Sequence, residues 1–519
     1  MATEFPCRER RQPGVARLAF IAVLMLVVSC GAPQLREEIE PPQPSFASEP
    51  ATSGLLSELA SDIAAQHGAD QSAFGLLDSS FDGLYWRLAL IDSATTSLDI
   101  QTYLWYPDES GRLLLERAIH AARRGVRVRL IVDDLLTIGL EQLIYELDQQ
   151  PNIEFRLFNP WKDRSLLGRA GEMIAEMERL NTRMHNKLLV ADGRAAVVGG
   201  RNIGDHYFGL SDSYNFHDLD LLGIGPVAVQ ASAMFDQFWN SEWVVSASSI
   251  VTEPDPAFAA ETWRTLQARN RASSVLEPFG VAVRDWGEEL RERAGRLHPG
   301  SSELVYDQAT AAGIAQNVIG DVYRFLGEAE RELLITNAYI IPGAPAIEFL
   351  RGLTERGVDV RILTNSLASH DVPAVNSHYQ AWRDDFIEAG VSLFELRADA
   401  AIQSIVDVPP AAGEFVGLHT KAFVVDRRKV FIGSMNFDPR SANINTEGGA
   451  WVTSDGLAAE LAAVMERDMA PENAWQVLLD EAGEPYWVNG DETLTRQPAR
   501  GGMQRAMDAI FKLFPEEQY

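Results

Sequence analysis

The sequence predicts an α/β fold that is built twice. Three observations point there: strand-like runs separated by helical stretches, glycines where those helices should stop, and a strand–helix–strand unit that returns later in the chain. In the first copy Ser97–Tyr103 reads as a strand, a helical stretch follows, and Arg124-Gly125-Val126-Arg127-Val128-Arg129-Leu130-Ile131 starts the next strand. In the second, Leu333–Tyr339 ends in the same residue type, and Arg356-Gly357-Val358-Asp359-Val360-Arg361-Ile362-Leu363 closes the unit. Strands joined by covering helices imply parallel sheets.

The 519 residues are 46% hydrophobic and 23% charged, a globular composition with room for two or three cores. With 45 basic against 74 acidic residues the net charge is −29, which opposes broad binding to phosphate backbones, so no nucleic-acid partner is expected. The only cysteines, Cys7 and Cys30, precede the folded part and exclude a disulfide framework.

In chain order, Arg8, Arg10, Arg11 and Arg17 lead into an apolar run, Leu18–Val28, followed by Ser29-Cys30-Gly31. Eleven apolar residues are too few to span a membrane and suit a secretory signal. Leu26-Val27-Val28-Ser29-Cys30 resembles a bacterial lipobox, which makes 1–29 a signal peptide and Cys30 the lipidated first residue. The expected location is outside the cytoplasm, anchored on the periplasmic side of a bacterial membrane. Residues 30–54, with Pro33, Pro41, Pro42 and Pro44 among Glu and Ser, read as a tether. Residues 55–250 form a first lobe, 251–302 a connector with little strand pattern, and 303–519 a second lobe. Near the end Met503, Ala506, Met507, Ile510, Phe511 and Phe514 make a helical apolar stripe, suited either to docking on lobe 2 or to a lipid surface.

The chemistry sits at one spacing, twice. His185, Lys187, Asp192, Gly199 and Asn202 recur as His419, Lys421, Asp426, Gly433 and Asn436, with identical offsets of +2, +7, +14 and +17 from each histidine. The chain holds nine histidines, and chance would produce two such copies about once in 10⁵ sequences. Residues two apart on a strand share a face, so each His–Lys pair can grip one phosphate, and Asn202, Asn436 and Ser434 can offer donors to its oxygens. One imidazole can attack a phosphodiester while the other protonates the leaving alcohol. The lysines would hold charge on the remaining oxygens.

Two H-x-K-x4-D-x6-G-[GS]-x-N motifs identify the chain as a member of the phospholipase D superfamily. Gly199-Gly200-Arg201-Asn202-Ile203-Gly204-Asp205, Asp438-Pro439-Arg440-Ser441, Asn445-Thr446-Glu447 and Val132-Asp133-Asp134-Leu135 resemble its cardiolipin synthase C-type branch. The resemblance implies a duplicated α/β/α sandwich whose two lobes share one active site at their interface. It also implies transfer of a phosphatidyl group through phosphohistidine, with no metal and no cofactor, on phospholipid substrates. It counts His185, Lys187, Asp192, His419, Lys421 and Asp426 as the catalytic motif, although the two aspartates, as turn residues, suit a structural role better.

By the same resemblance Asp218 and Glu447 are the acids that orient the histidines, with Asp220 a competitor to Asp218. His185 as nucleophile follows family habit alone. Gly200 stands where the motif usually has serine, which removes one hydroxyl beside the phosphate. Tyr103 and Tyr339 either line the cleft or pack. The competing activities are hydrolysis to phosphatidic acid and, less well matched, nuclease action or a scaffold with a dead site.

Overall fold

The computed structural model describes residues 41–250 and 256–511, and in it the repeat becomes a pseudo-twofold. Lobe 1 carries β1 (Ser72–Leu77), β2 (Ser97–Thr102), β3 (Arg127–Asp133), β4 (Ile153–Phe158), β5 (Leu188–Ala191), β6 (Ala195–Gly199), β7 (Asn215–His217), β8 (Asp220–Ile224) and β9 (Val244–Ser246). Lobe 2 carries β10 (His298–Tyr306), the hairpin β11 (Gln308–Thr310) and β12 (Gly313–Ala315), β13 (Glu332–Asn337), β14 (Asp359–Asn365) and β15 (Ser392–Leu396). It continues with β16 (Val416–Leu418), β17 (Lys421–Val425), β18 (Lys429–Gly433), β19 (Gly448–Thr453) and β20 (Ala474–Leu479).

Pairing runs β9-β4-β3-β2-β5-β6-β8-β1 in lobe 1. In lobe 2 the same order reads β20-β15-β14-β13-β17-β18-β19-β10. The halves meet where Ser72–Phe74 of β1 pair antiparallel with His298–Gly300 of β10, so one ladder crosses the molecule.

Among the named strands, parallel pairing within each lobe is confined to one three-stranded block, β2-β3-β4 and β13-β14-β15. The expected parallel sheets are therefore mixed. The physical reason is local: each motif strand returns through a turn too short for a crossover, and a hairpin can only pair antiparallel. Elsewhere the sequence logic holds. Asp108 caps the helix Glu109–Arg123 by accepting from Gly111 N, and the chain leaves that helix through Gly125 at φ 98, as the second copy does through Gly357 at φ 89.

Helices cover both faces, and the cores interlock. The helix Val227–Trp239 of lobe 1 packs with Leu304 and Tyr306 of β10. Leu219, Leu221 and Val227 share a cluster with Leu457, Ala458, Leu461 and Met465 on the lobe 2 helix Asp455–Met469. Arg129 of β3 is 1% exposed and ion-paired to Asp99 and Asp236 at 2.7 Å each.

Two segments differ from expectation. The described end of the 30–54 tether is docked: Ala47 N donates to Asp236, Ser45 N to Asn240, Arg127 to the Phe46 carbonyl and Ala51 N to the Asp192 carbonyl. These bonds fix it along lobe 1 although its composition is that of a linker. The connector is likewise part of lobe 1, because Leu266, Leu276, Phe279, Trp286 and Leu290 are buried in that lobe's core. Its helices Pro256–Ala272 and Gly287–Ala294 carry too few apolar residues for the pattern to announce a core face.

The motif aspartates hold turns. Asp192, at φ 57, accepts from the backbone N–H of Thr95, Thr96 and Ser97 and from Thr95 Oγ1. Asp426, at φ 53, accepts from the N–H groups of Glu330, Arg331 and Glu332. Each therefore ties the turn after a motif strand to the head of a neighbouring strand, and their placement in the catalytic set is corrected to a structural role. Asp192 is 1% exposed and accepts from four donors, so Asp192→Ala, which removes all of these bonds behind a buried side chain, should cost about 3 kcal/mol. Asp426→Ala, where water reaches the freed groups, should cost about 1 kcal/mol. Urea denaturation checks both, and equal or negligible losses would contradict the turn role.

Candidate active site

Both motif histidines come to one place because the lobes exchange strands. β7 of lobe 1 pairs in parallel with β16 of lobe 2, so His419 N donates to the His217 carbonyl at 2.8 Å. On the other side of the pseudo-twofold Met184 bridges Thr446 in parallel, and His185 N donates to the Thr446 carbonyl at 3.0 Å. The residue after each accepting carbonyl is an acid, Asp218 in one case and Glu447 in the other. The pairing therefore hands each acid to the histidine of the opposite lobe. Glu447 Oε2 lies 3.0 Å from His185 Nδ1, and Asp218 Oδ2 lies 2.5 Å from His419 Nδ1. A carboxylate there keeps the proton on Nδ1 and leaves Nε2 for chemistry.

The acids are held differently. Glu447 also accepts from Ser434 Oγ through Oε2 and from Ser441 Oγ through Oε1 at 2.7 Å. Asp218 accepts from Leu219 N at 2.8 Å. A Cβ at Gly200 would lie 2.5 Å from Asp218 Oδ1, so the serine missing from the first motif has no room. Its counterpart Ser434 shows where that hydroxyl points, to the acid Glu447. Ser434 is thus corrected from phosphate ligand to positioning residue. Asp220, the rival acid, is taken by Arg87 at 2.8 Å and Arg201 at 3.0 Å.

Asn202 donates one amide N–H to Tyr207 Oη at 2.9 Å and accepts from Leu104 N at 3.2 Å through Oδ1. Asn436 Oδ1, an acceptor, is buried and has no hydrogen-bond partner among the described residues. The tyrosines do line the site. Tyr103 meets the His185 ring at 5.2 Å and Tyr339 the His419 ring at 6.1 Å, both edge-on, and each carries its own lobe's lysine over its face. Two residues outside the motifs support the Tyr339 wall. His370 stacks on Tyr339 at 5.3 Å, and the Tyr339 hydroxyl donates to Asp371 at 2.8 Å. The repeated strand-end tyrosines were the signal for this wall, whereas nothing local marks Asp371.

Four cationic or basic groups share this desolvated centre. Lys187 and Lys421 are 3% and 1% exposed and donate to the carbonyls of their own motif histidines. Burial pushes Lys421 down to about 8 against the pull of Asp218 and Glu447, and it drives Lys187 well below the usual ammonium range. Burial, then Lys187, Lys421 and His419, holds His185 well below an ordinary imidazole, and burial with Lys421 lowers His419 despite Asp218. Among the acids, burial pushes Glu447 up to about 7. Burial also works against ionised Asp218, but His419 and Lys421 overcome it and hold Asp218 at about 2.

A site this short of anions is built to receive one. The ammonium of Lys421 is present below about pH 8 and lost above it, and Glu447 is ionised only above about 7. The free enzyme's kcat/KM should therefore rise through about pH 7, as the Glu447–His185 pair titrates as a unit, and fall above about 8. Glu447→Gln should remove the acid limb. A profile flat from weakly acid to strongly alkaline pH would contradict this electrostatic arrangement.

Known proteins agree with this geometry. Residues 88–239 and 322–469 match the family model described as cardiolipin synthase, PLD-like domain, one segment in each lobe. The chain is 34% identical over 470 residues to cardiolipin synthase C of Escherichia coli, covering 88% of this chain and 97% of that protein. It is 23% identical to the major cardiolipin synthase ClsA of Bacillus subtilis, covering 79% of this chain and 71% of the relative. The fold is also that of a phosphatidylserine synthase from Haemophilus influenzae, with a TM-score of 0.53 at 14% identity over 79% of this chain and 91% of that one. With two intact His–Lys motifs in matching segments and one shared centre, the chain belongs to the phospholipase D-like cardiolipin synthase family.

Proposed function

We propose that the protein joins a phosphatidyl group to phosphatidylglycerol or a similar alcohol, in two displacements at the single centre between the lobes. The crossed pairs His185–Glu447 and His419–Asp218 carry the reading, since they give two imidazoles with free Nε2 atoms on either side of a lysine-lined anion site. His185 Nε2 attacks phosphorus while His419 delivers its proton to the departing alcohol. The acceptor hydroxyl then attacks the phosphohistidine, gives its proton back to His419, and releases His185. Two observations favour this direction. Burial and the neighbouring lysines keep His185 neutral, as a nucleophile must be, while Asp218, ionised down to about pH 2, pulls a proton toward His419 against the lowering effect of burial and Lys421.

The substrate class fits the surface. The C-terminal helix Gly502–Phe511 docks by its polar side, with Asp508 accepting from Asn376 at 2.7 Å, and leaves Met503, Met507 and Ile510 exposed. The helix Leu166–Ala175 exposes Leu166, Leu167, Met173 and Ile174, and the chain from it enters the first motif ten residues later. Two outward apolar helices, one per lobe, suit a protein working against lipid. Export with a lipid on Cys30 would hold it there. The signal, Cys30 and the last residues of the apolar stripe, including Phe514, lie outside the described residues.

Purified protein given phosphatidylglycerol vesicles should make cardiolipin and glycerol, read by mass spectrometry, and phosphatidic acid alone would overturn the transferase reading. His185→Asn and His419→Asn should each lower turnover by at least about 10³-fold, and Glu447→Gln and Asp218→Asn by about 10²-fold. Cys30→Ser should move the protein from the membrane to the soluble fraction of a bacterial lysate. Unchanged membrane partition would contradict lipidation at Cys30.

A further inference from the structure

Lobe 1 contains an apolar cavity of about 310 Å³ between the helices Glu109–Arg123 and Glu141–Asp148 and the connector helix Pro256–Ala272. Its walls include Leu115, Leu140, Leu143, Ile144, Leu147 and Leu266, and the exposed Glu261 and Arg269 stand at its border. Protein interiors ordinarily close such spaces, because an unfilled apolar void costs both contacts and burial. The cavity opens to the surface beside the exposed Phe258, Glu261 and Arg269, and an apolar, concave space of this size suits an apolar ligand.

Its position ties it to the catalytic centre through two strands. Tyr103, which follows β2, touches the His185 ring, and Trp105, Tyr106 and Pro107 immediately beyond it wall the cavity. Val132 of β3 also lines the cavity. The next residue, Asp133, accepts from Met184 N at 3.0 Å, one position before His185. One end of the cavity is therefore built by the same strand ends that build the His185 side of the cleft. A phosphodiester held there by the lysines would carry its apolar tails within reach of this space.

We propose that the cavity is an acyl-chain site, holding part of one fatty-acyl tail of the phospholipid being processed. The assignment rests on the phosphatidyl-transfer reading and gives the connector, which the family model does not match, a role in selecting lipid. A methylene fills about the space of a water molecule, roughly 30 Å³, so the cavity takes a segment on the order of ten carbons. Each buried methylene contributes roughly fourfold in affinity.

Two measurements test this on the full-length protein. Leu143→Trp, which fills the cavity from the helix Glu141–Asp148, should lower kcat/KM for long-chain phosphatidylglycerol at least about tenfold. It should leave glycerophosphoglycerol, the same headgroup without tails, within about twofold. No loss on the long-chain lipid, or equal loss on both substrates, overturns the acyl site. Independently of turnover and of that variant's folding, phosphatidylglycerol carrying a photoreactive diazirine in one tail should label wild-type peptides within 136–147 and 258–269. Labelling confined to other regions overturns the proposal. Wild-type protein that turns over neither substrate contradicts phosphatidyl transfer instead, and the labelling then still decides the cavity.

Discussion

Everything in the centre of this molecule depends on two carboxylate–imidazole contacts that cross between its halves. Glu447 holds His185 and Asp218 holds His419, so neither lobe contains a complete catalytic group. The crossing follows from backbone pairing. The residue ahead of each acid accepts a hydrogen bond from the opposite histidine's own N–H, and with that register set the acid has one place to go. Interlocked cores and a ladder that continues through β1 and β10 keep the register rigid. Precise placement of this kind lets a buried imidazole start with the correct tautomer and a free Nε2.

The electrostatics follow from the same closure. Bringing two ammonium groups and two imidazoles together away from water is unfavourable, and the two acids offset only part of that charge. The strain shows as lowered proton affinities at both lysines and both histidines. A phosphodiester supplies the missing negative charge, so binding and catalysis draw on one arrangement that is poised before substrate arrives. The two halves are not equivalent, however. A glutamate clamped by two serines titrates near neutrality, whereas an aspartate close against its histidine stays ionised, and the difference gives two identical residue types separate tasks.

How much of this was legible in the sequence depends on the range of the interaction. The duplicated motif and the strand–helix–strand units were readable because they rest on spacing and on local periodicity, whereas the shared site followed from the family resemblance that the motif carries. The acids Asp218 and Glu447 could be named, but their exchange between lobes could not, since it arises from pairing between residues more than 200 positions apart. Gly200 read as a missing phosphate donor because the sequence does not reveal that an Asp218 oxygen occupies the space. Ser434 has the right chemistry for a phosphate, yet its hydroxyl is turned to Glu447. The connector and residues 43–51 read as linkers by composition, and only long-range bonds and burial make them part of lobe 1. Asp192 and Asp426 show the opposite case, turn residues whose chemistry was plain from sequence and whose three backbone donors complete it.

The crossed pairing is tested most directly by proton NMR of protein labelled with ¹⁵N-histidine, following the strongly downfield Nδ1–H resonances of His185 and His419, each assigned by its own His→Asn variant. Glu447→Gln should displace the His185 resonance and leave that of His419 in place, and Asp218→Asn should do the reverse. Displacement of the histidine in the same lobe as the altered acid would contradict the account.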